Sequence, residues 1–341
     1  MKKRVLALLM LSGLLVTSLF AGGASEKKAT ATAPVKVQIG FGNSMSEPIG
    51  QALKEWQSLV AEQGDGSLVI ELFPDSQLGS KSKLIDSMLL GEPVMTLADG
   101  AFYANYGVED FGIVFGPFLF DNWDQCWQLV DSDWYKTQSE KLDAKGLKLV
   151  SSNWVYGQRD TLTVEPVKSL SDLEGMKIRV PANQIQSIGM DVLGATSTGM
   201  SLGDVYQALQ TKTIDGAENP LSTLYGRKLH EVAQYLLLDG HVKNFTTWVM
   251  SSDFFNTLTP AQQDLLISTG HEAGVYNNEL QANSQSEYLQ KMVDEGVIVT
   301  EMTPEMTAEF KAASKAFYDH GDDFGWSEGL YDTVRAAMGA N

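Results

Sequence analysis

The 341-residue chain holds one cysteine and four histidines, and each scarcity removes a class of function. The single thiol, Cys126, has no partner for an internal disulfide, so an exported protein of this sequence is held by its core, which a chain of this length can build. Within Trp123-Asp124-Gln125-Cys126-Trp127 it reads as a small buried apolar residue on a helix. The histidines, His230, His241, His271 and His320, are not spaced as zinc ligands. Basic residues are outnumbered 25 to 43, giving a net charge of −18, and no Lys/Arg cluster reverses what that acidity implies. Nucleic acid and anionic membrane surfaces are thereby excluded as partners. There is no G-x-S-x-G elbow, no phosphate-binding glycine loop and no dinucleotide fingerprint. Asp131-Ser132-Asp133 and Asp322-Asp323 read as solvated surface rather than metal ligands. No catalytic residue, metal or cofactor is assigned. After the first 20 residues no apolar run approaches the length of about 20 that a membrane span needs.

What is present begins at the N-terminus. Lys2-Lys3-Arg4 precede an apolar stretch from Val5 to Phe20, and Ala21-Gly22-Gly23-Ala24 follow. A basic start, a short apolar run and small residues are the three parts of a cleavable export signal. We expect residues 1–23 to be removed, with cleavage near Gly23 or Ala24, and the protein to work in the periplasm. No cysteine follows the small residues, so no lipid anchor is expected. Residues 24–34 are small and polar, a flexible tether.

From Val35 the pattern is α/β. Val35–Ile39, Ser67–Phe73 and Val94–Leu97 read as strands separated by helices, the alternation of a parallel sheet with covering helices. Trp123–Ala144 reads as one amphipathic helix, Leu147–Ser151 as a strand. A second βα unit follows, with Ile178–Val180 as strand, Gln184–Val192 as helix, and Ser201 placed to cap a helix to Gln210. Ile214–Pro220 is a short strand and polar turn, and Thr246–Met250 another strand. Thr259-Pro260-Ala261-Gln262 carries a capping box that opens a long helix to about Glu295. Val297–Thr300, Pro304–Phe317 and Leu330–Met338 complete the chain as strand, helix and helix. Two α/β lobes fit this order; one closed barrel does not. The seven tryptophans read as core or cleft lining.

The stretch Gly175-Met176-Lys177-Ile178-Arg179-Val180-Pro181 places a guanidinium in the middle of a strand. Arg179 alternates with Ile178 and Val180, so it points away from the face they bury. Spacing alone leaves two readings open: a charge on the solvent side of an edge strand, or a fixed fork awaiting a carboxylate. Gly157-Gln158-Arg159 and Glu218-Asn219 also fall at strand ends, where open α/β sheets bind ligands. Two arginines and an amide suit a carboxylate.

Five motifs in order then resemble a known family: Phe73-Pro74-x-x-Gln77-Leu78-Gly79, Gly157-x-Arg159, Leu173-x-Gly175-x-Lys177-Ile178-Arg179-Val180-Pro181, Val205-Tyr206-x-Ala208-Leu209-Gln210, and Ile214-Asp215-Gly216-Ala217-Glu218-Asn219-Pro220. The chain resembles the DctP-like substrate-binding proteins of TRAP (tripartite ATP-independent periplasmic) transporters. The resemblance implies a two-lobed periplasmic-binding-protein fold of type II, each lobe a mixed sheet flanked by helices, with the ligand cleft between. Lobe I takes residues 35–156 and 245–284, and lobe II residues 157–244 and 285–341. It also implies capture of an organic acid and delivery to the TRAP permease subunits in the membrane, by a monomer that is not an enzyme. Arg179 is then the carboxylate clamp, joined by Arg159 and Asn219, with Asn43 and Asp99 as specificity contacts from the first lobe. An acid at Asp99 suits sugar hydroxyls, which favours a sugar acid such as a hexuronate over a C4-dicarboxylate. An exported enzyme acting on uronates, or a ligand-sensing partner of a membrane receptor kinase, are the rival readings. Two departures from the family pattern stand out: Ser197 and Gly199 occupy positions often held by proline, and Lys212 replaces a glycine.

Overall fold

The computed structural model describes residues 33–340; the expected signal and most of the tether lie outside the described residues. Nine strands form one sheet: β1 (Val35–Gly40), β2 (Leu68–Phe73), β3 (Val94–Ala98), β4 (Leu147–Thr163), β5 (Lys177–Val180), β6 (Thr196–Gly199), β7 (Gly216–Asn219), β8 (Tyr235–Ser251) and β9 (Ile298–Glu301). Their order is β2-β1-β3-β8-β4-β7-β5-β6, with β9 beside β8. The fold is two-lobed α/β, a mixed sheet flanked by helices. At one end β1 pairs in parallel with β2 and β3, as the βαβαβ pattern of residues 35–98 requires. At the other end β5 pairs in parallel with β6 and β7. The antiparallel pair β4 and β8 runs through both.

Those two strands are the main correction to the sequence reading. Each is 17 residues long, where only Leu147–Ser151 and Thr246–Met250 read as strand. Register shifts between Leu149 and Ser151, Ser151 and Trp154, Val155 and Gly157, and Arg159 and Thr161 break the two-residue alternation on which that reading depends. Trp123–Ala144 is likewise two helices, Trp123–Val130 and Asp133–Ala144, because Ser132 caps the second by accepting from the Tyr135 amide at 3.2 Å. Ser201 makes no side-chain cap; a 3-10 turn, Leu202–Asp204, precedes the helix Val205–Gln210, and the Ser201 carbonyl accepts from the Asp204 amide instead. The capping box of the long helix, Pro260–Asp294, is present, with Gln262 N to Thr259 Oγ1 at 3.3 Å and Thr259 N to Gln262 Oε1 at 3.0 Å.

Trp56, Trp154 and Trp248 are fully buried and meet with ring centroids 5.2–5.8 Å apart, the centre of the core beside β1. Cys126 is buried and burial pushes its thiol up to about 12, so it stays protonated, a small apolar filler. The helix Leu330–Ala337, grouped by the sequence with the second lobe, packs Leu330 and Val334 in one core with Cys126, Leu129 and Leu142.

The long helix does something a hydrophobic pattern does not announce. β7 pairs with β4 only from Asp160 onward, leaving the earlier part of that strand edge open. Side-chain amides of the helix close it. Asn278 Oδ1 accepts from Val155 N at 2.8 Å, Asn277 Nδ2 donates to Val155 O at 2.8 Å, and Gln281 Nε2 donates to Tyr156 O at 2.9 Å. Three polar side chains, Asn277, Asn278 and Gln281, thus satisfy an edge that would otherwise stay unpaired. Gln285 Nε2 reaches Asp160 Oδ2 at 3.0 Å, so the helix grips β4 on both sides of Gly157.

Candidate functional site

Where β4 and β8 cross from one end of the sheet to the other, a cleft opens. All five residues singled out by the sequence, Asn43, Asp99, Arg159, Arg179 and Asn219, line it.

Arg179 sits on β5 between β6 and β7, so the strand is not an edge. Ile178 and Val180 are buried in the apolar core, and the alternation turns Arg179 to the cleft. It is 3% exposed. Its Nε and Nη2 donate to the Met200 carbonyl at 3.0 and 2.7 Å, which fixes the plane of the guanidinium. That carbonyl lies just past β6, the strand made by the segment where Ser197 and Gly199 stand. Among the described residues no carboxylate pairs with Arg179 within 4.0 Å. Burial pulls its pKa down to about 10, the Glu218 charge working against burial and Arg159 with it.

Arg159 is the opposite case. Its Nε and Nη2 clasp the Glu218 carboxylate, the latter at 2.7 Å to Oε1, and Nη1 donates to Asn244 Oδ1 at 3.1 Å. Burial would raise the Glu218 pKa, but the Arg159 charge and hydrogen bonds, with His241 behind them, hold it at about 2. His241 Nε2 lies 3.3 Å from Glu218 Oε2, and its Nδ1 lies 3.0 Å from Asp239 Oδ2. Burial lowers the His241 pKa, but the two carboxylates overcome it and raise it to about 10. The sequence reading puts no histidine near the site turns; β8 brings this one behind the site because it lies directly beside β4.

In the first lobe Asp99 caps the helix Gly100–Ala104, accepting from Ala101 N at 3.1 Å. Asn43 Nδ2 approaches Glu47 Oε2 at 2.6 Å, Tyr156 OH at 3.1 Å and Thr223 Oγ1 at 3.1 Å, which spends its donors and leaves Oδ1 uncommitted among the described residues. Asn219 is 3% exposed and its side-chain amide is uncommitted in the same sense.

Lys81 was missed. It is the first residue of the helix Lys81–Leu89, which Ser80 caps, and it lies 3.9 Å from Asp99 and 4.3 Å above the Phe102 ring. A cation at a helix N-terminus opposes the helix dipole, and that misfit is the signal sequence inspection had available. Burial lowers its pKa to about 8, with Asp99 pulling the other way. Of the ionisable side chains lining the cleft, Lys81, Arg159 and Arg179 are cationic and Asp99 is acidic, and Glu218 takes up the charge of Arg159. Lys81 and Arg159 each have a carboxylate beside them, and Arg179 has none among the described residues.

A buried cationic fork in a cleft crossed by two long strands defines a two-lobed solute-binding protein. The chain belongs to the DctP family, bacterial extracellular solute-binding protein family 7, which it matches over residues 40–322. It is similar to a TRAP periplasmic solute-binding protein of Ochrobacterium anthropi solved with bound L-fuconate: 36% identical, TM-score 0.86, covering 90% of this chain and 100% of that one. A second, from Actinobacillus succinogenes 130z with bound L-galactonate, is 32% identical with TM-score 0.83, covering 89% and 99%. The 2,3-diketo-L-gulonate-binding periplasmic protein YiaO of Escherichia coli K12 is 29% identical over 287 residues, 84% of this chain and 87% of that one. Members of the family are periplasmic binding proteins that take small organic acids and serve TRAP permeases; they are transport proteins rather than enzymes.

Proposed function

We propose that this protein captures a sugar acid bearing one carboxylate, closes on it and hands it to a TRAP-type permease. The observation that carries the reading is Arg179: a buried guanidinium, oriented by Met200, with no carboxylate partner among the described residues. A ligand carboxylate completes it. Arg159, already neutralised by Glu218, and the free amide of Asn219 then bind the same end of the ligand. Asn43, Asp99 and Lys81 meet the hydroxyls at the other end. One unpaired guanidinium suits one carboxylate, and Asp99 disfavours a second, which argues for aldonates and hexuronates over C4-dicarboxylates. Relatives with bound L-fuconate and L-galactonate support the same class. Closure is a population shift in which the ligand bridges the lobes, whose division we place at residues 156/157 and 244/245, beside Gly157. We place the working protein in the periplasm as a monomer, after removal of residues 1–23.

The test is a thermal-shift screen of the mature chain against aldonates, hexuronates and C4-dicarboxylates. Ligand at about a hundred times its dissociation constant adds roughly 2.7 kcal/mol. Stabilisation by a six-carbon sugar acid is expected. A response confined to succinate or malate, or to no acid, would overturn the proposal.

A further inference from the structure

On the other side of β4 lies a second cavity, of ≈ 340 Å³, which shares no lining residue with the cleft. Along one five-residue stretch of that strand, Tyr156 and Arg159 line the cleft while Val155, Gly157 and Gln158 line this cavity. The opposite walls are Pro220–Ser222, directly after Asn219, and residues 278–285 of the long helix, with Trp123 beside them. Gly157 has φ +137°, and a methyl added there would come within 2.7 Å of Pro220 Cβ, so strand and turn touch where the two cavities are closest.

The lining has a definite chemistry. It contains amides, hydroxyls and an indole, and no ionisable side chain. Gln281 and Gln285 are occupied in holding β4. Ser222 is 4% exposed and its hydroxyl has no hydrogen-bond partner among the described residues; the amide of the half-buried Gln158 is also uncommitted. A buried free hydroxyl, a free amide and an aromatic face suit a small neutral polyhydroxylated molecule, and the lack of charge disfavours the anion that the cleft takes.

We propose that this cavity is a second binding site, for a neutral polyol or sugar, and that its occupant biases closure of the cleft. The coupling follows from the walls. Gln281 grips the strand before Gly157 and Gln285 grips it after, so bending β4 there moves the two halves of the cavity relative to each other. An occupant that prefers one spacing shifts the lobe equilibrium by its difference in affinity.

The probes are glycerol, myo-inositol and D-glucose, followed by saturation-transfer NMR on the mature protein. At least one should receive transfer from the wild type and equally from Arg179→Ala, whose cleft is disabled. Ala282→Trp, at an exposed helical position on the cavity lining, should abolish it, and Ser222→Val should weaken binding at least tenfold. The bound polyol should also change the radius of gyration in small-angle scattering, except in Ala282→Trp. Transfer to none of the three, transfer surviving both cavity substitutions, or transfer lost in Arg179→Ala would overturn the site. An unchanged radius would overturn the coupling. Because the Arg179→Ala arm leaves the polyol site intact, failure of the sugar-acid reading and failure of this one give different patterns.

Discussion

Replacing each cleft arginine by methionine should produce opposite effects on the empty protein, although Arg159 and Arg179 lie in the same cleft and are equally buried at 3% exposure. Arg179 holds a charge out of water with only the Met200 carbonyl as partner. Arg179→Met removes that desolvation cost and leaves one carbonyl short of a donor, a loss of about 1–3 kcal/mol set against a gain of similar size. The thermal midpoint should therefore hold or rise. Arg159→Met strands the Glu218 carboxylate, and breaking a buried pair from one side costs about 3–5 kcal/mol. Its midpoint should fall by about 5–8 °C, given about 1.5 °C per kcal/mol for a folded chain of about 310 residues. Binding shows the reverse order. A bidentate charge-assisted contact to the ligand is lost with Arg179, about 3–4 kcal/mol or a few hundredfold in affinity. Calorimetric titration with the stabilising sugar acid measures one quantity and thermal unfolding the other. Binding of Arg179→Met within threefold of wild type, or equal destabilisation by both substitutions, would refute the division of roles.

Three further outcomes follow from the same geometry. Glu218 has a folded pKa near 2, below the ordinary carboxylate range, so its contribution to stability is complete above about pH 4.5 and disappears as pH falls through 2. Acid unfolding of Glu218→Gln should accordingly show a shallower decline between pH 5 and 2 than the wild type; identical slopes would contradict the ion pair. Lys81, with its pKa near 8, is charged below that value and neutral above it, so sugar-acid affinity should hold up to pH 7 and weaken towards pH 9. Lys81→Met should flatten that profile, and a wild-type profile already flat would remove Lys81 from the site. Lys212 stands at φ +58°, the left-handed conformation that the family's usual glycine adopts without strain, so Lys212→Gly should raise the urea midpoint by the equivalent of about 1 kcal/mol. A lowered midpoint would show that the lysine side chain contributes more than its backbone costs.

How much of this was legible beforehand depended on whether a feature is local. The βαβαβ order of residues 35–98 and the capping box at Thr259 are written in a few adjacent residues, and they read correctly. Arg159, Arg179 and Asn219 were legible because the family motifs mark them, whereas Asn43 and Asp99 rested only on the resemblance and their places after β1 and β3. The long strands were not, since a strand with four register shifts carries no clean alternation. Lys81 was hidden because its partners, Asp99 and Phe102, lie about 20 residues away on the next βα unit. The role of the long helix was hidden for a different reason. Asn277, Asn278, Gln281 and Gln285 look like ordinary solvent-facing residues until the open edge of β4 is brought against them.

An acidic chain that binds an anion needs a local field strong enough to outweigh its global one. Charges more than about 8 Å apart across solvent are screened, so the 43 acidic residues count for little inside a cleft. What counts is the short-range sum, and here the two arginines divide the work. Arg159 is neutralised by Glu218, and His241 between Glu218 and Asp239 extends the same network; together they form a rigid polar wall that holds β4, β7 and β8 in register around the cleft. Had Arg179 a carboxylate of its own, an anionic ligand would have to displace that carboxylate to reach it. Left unpaired, it is an electrostatic cost in the empty protein, and on the reading proposed above a ligand carboxylate relieves that cost on capture. The sequence marks both residues with similar motifs, Gly-x-Arg and Lys-Ile-Arg. Only the register of β7 against β4, which sets Glu218 beside Thr161 and within reach of Arg159, decides which arginine stays free.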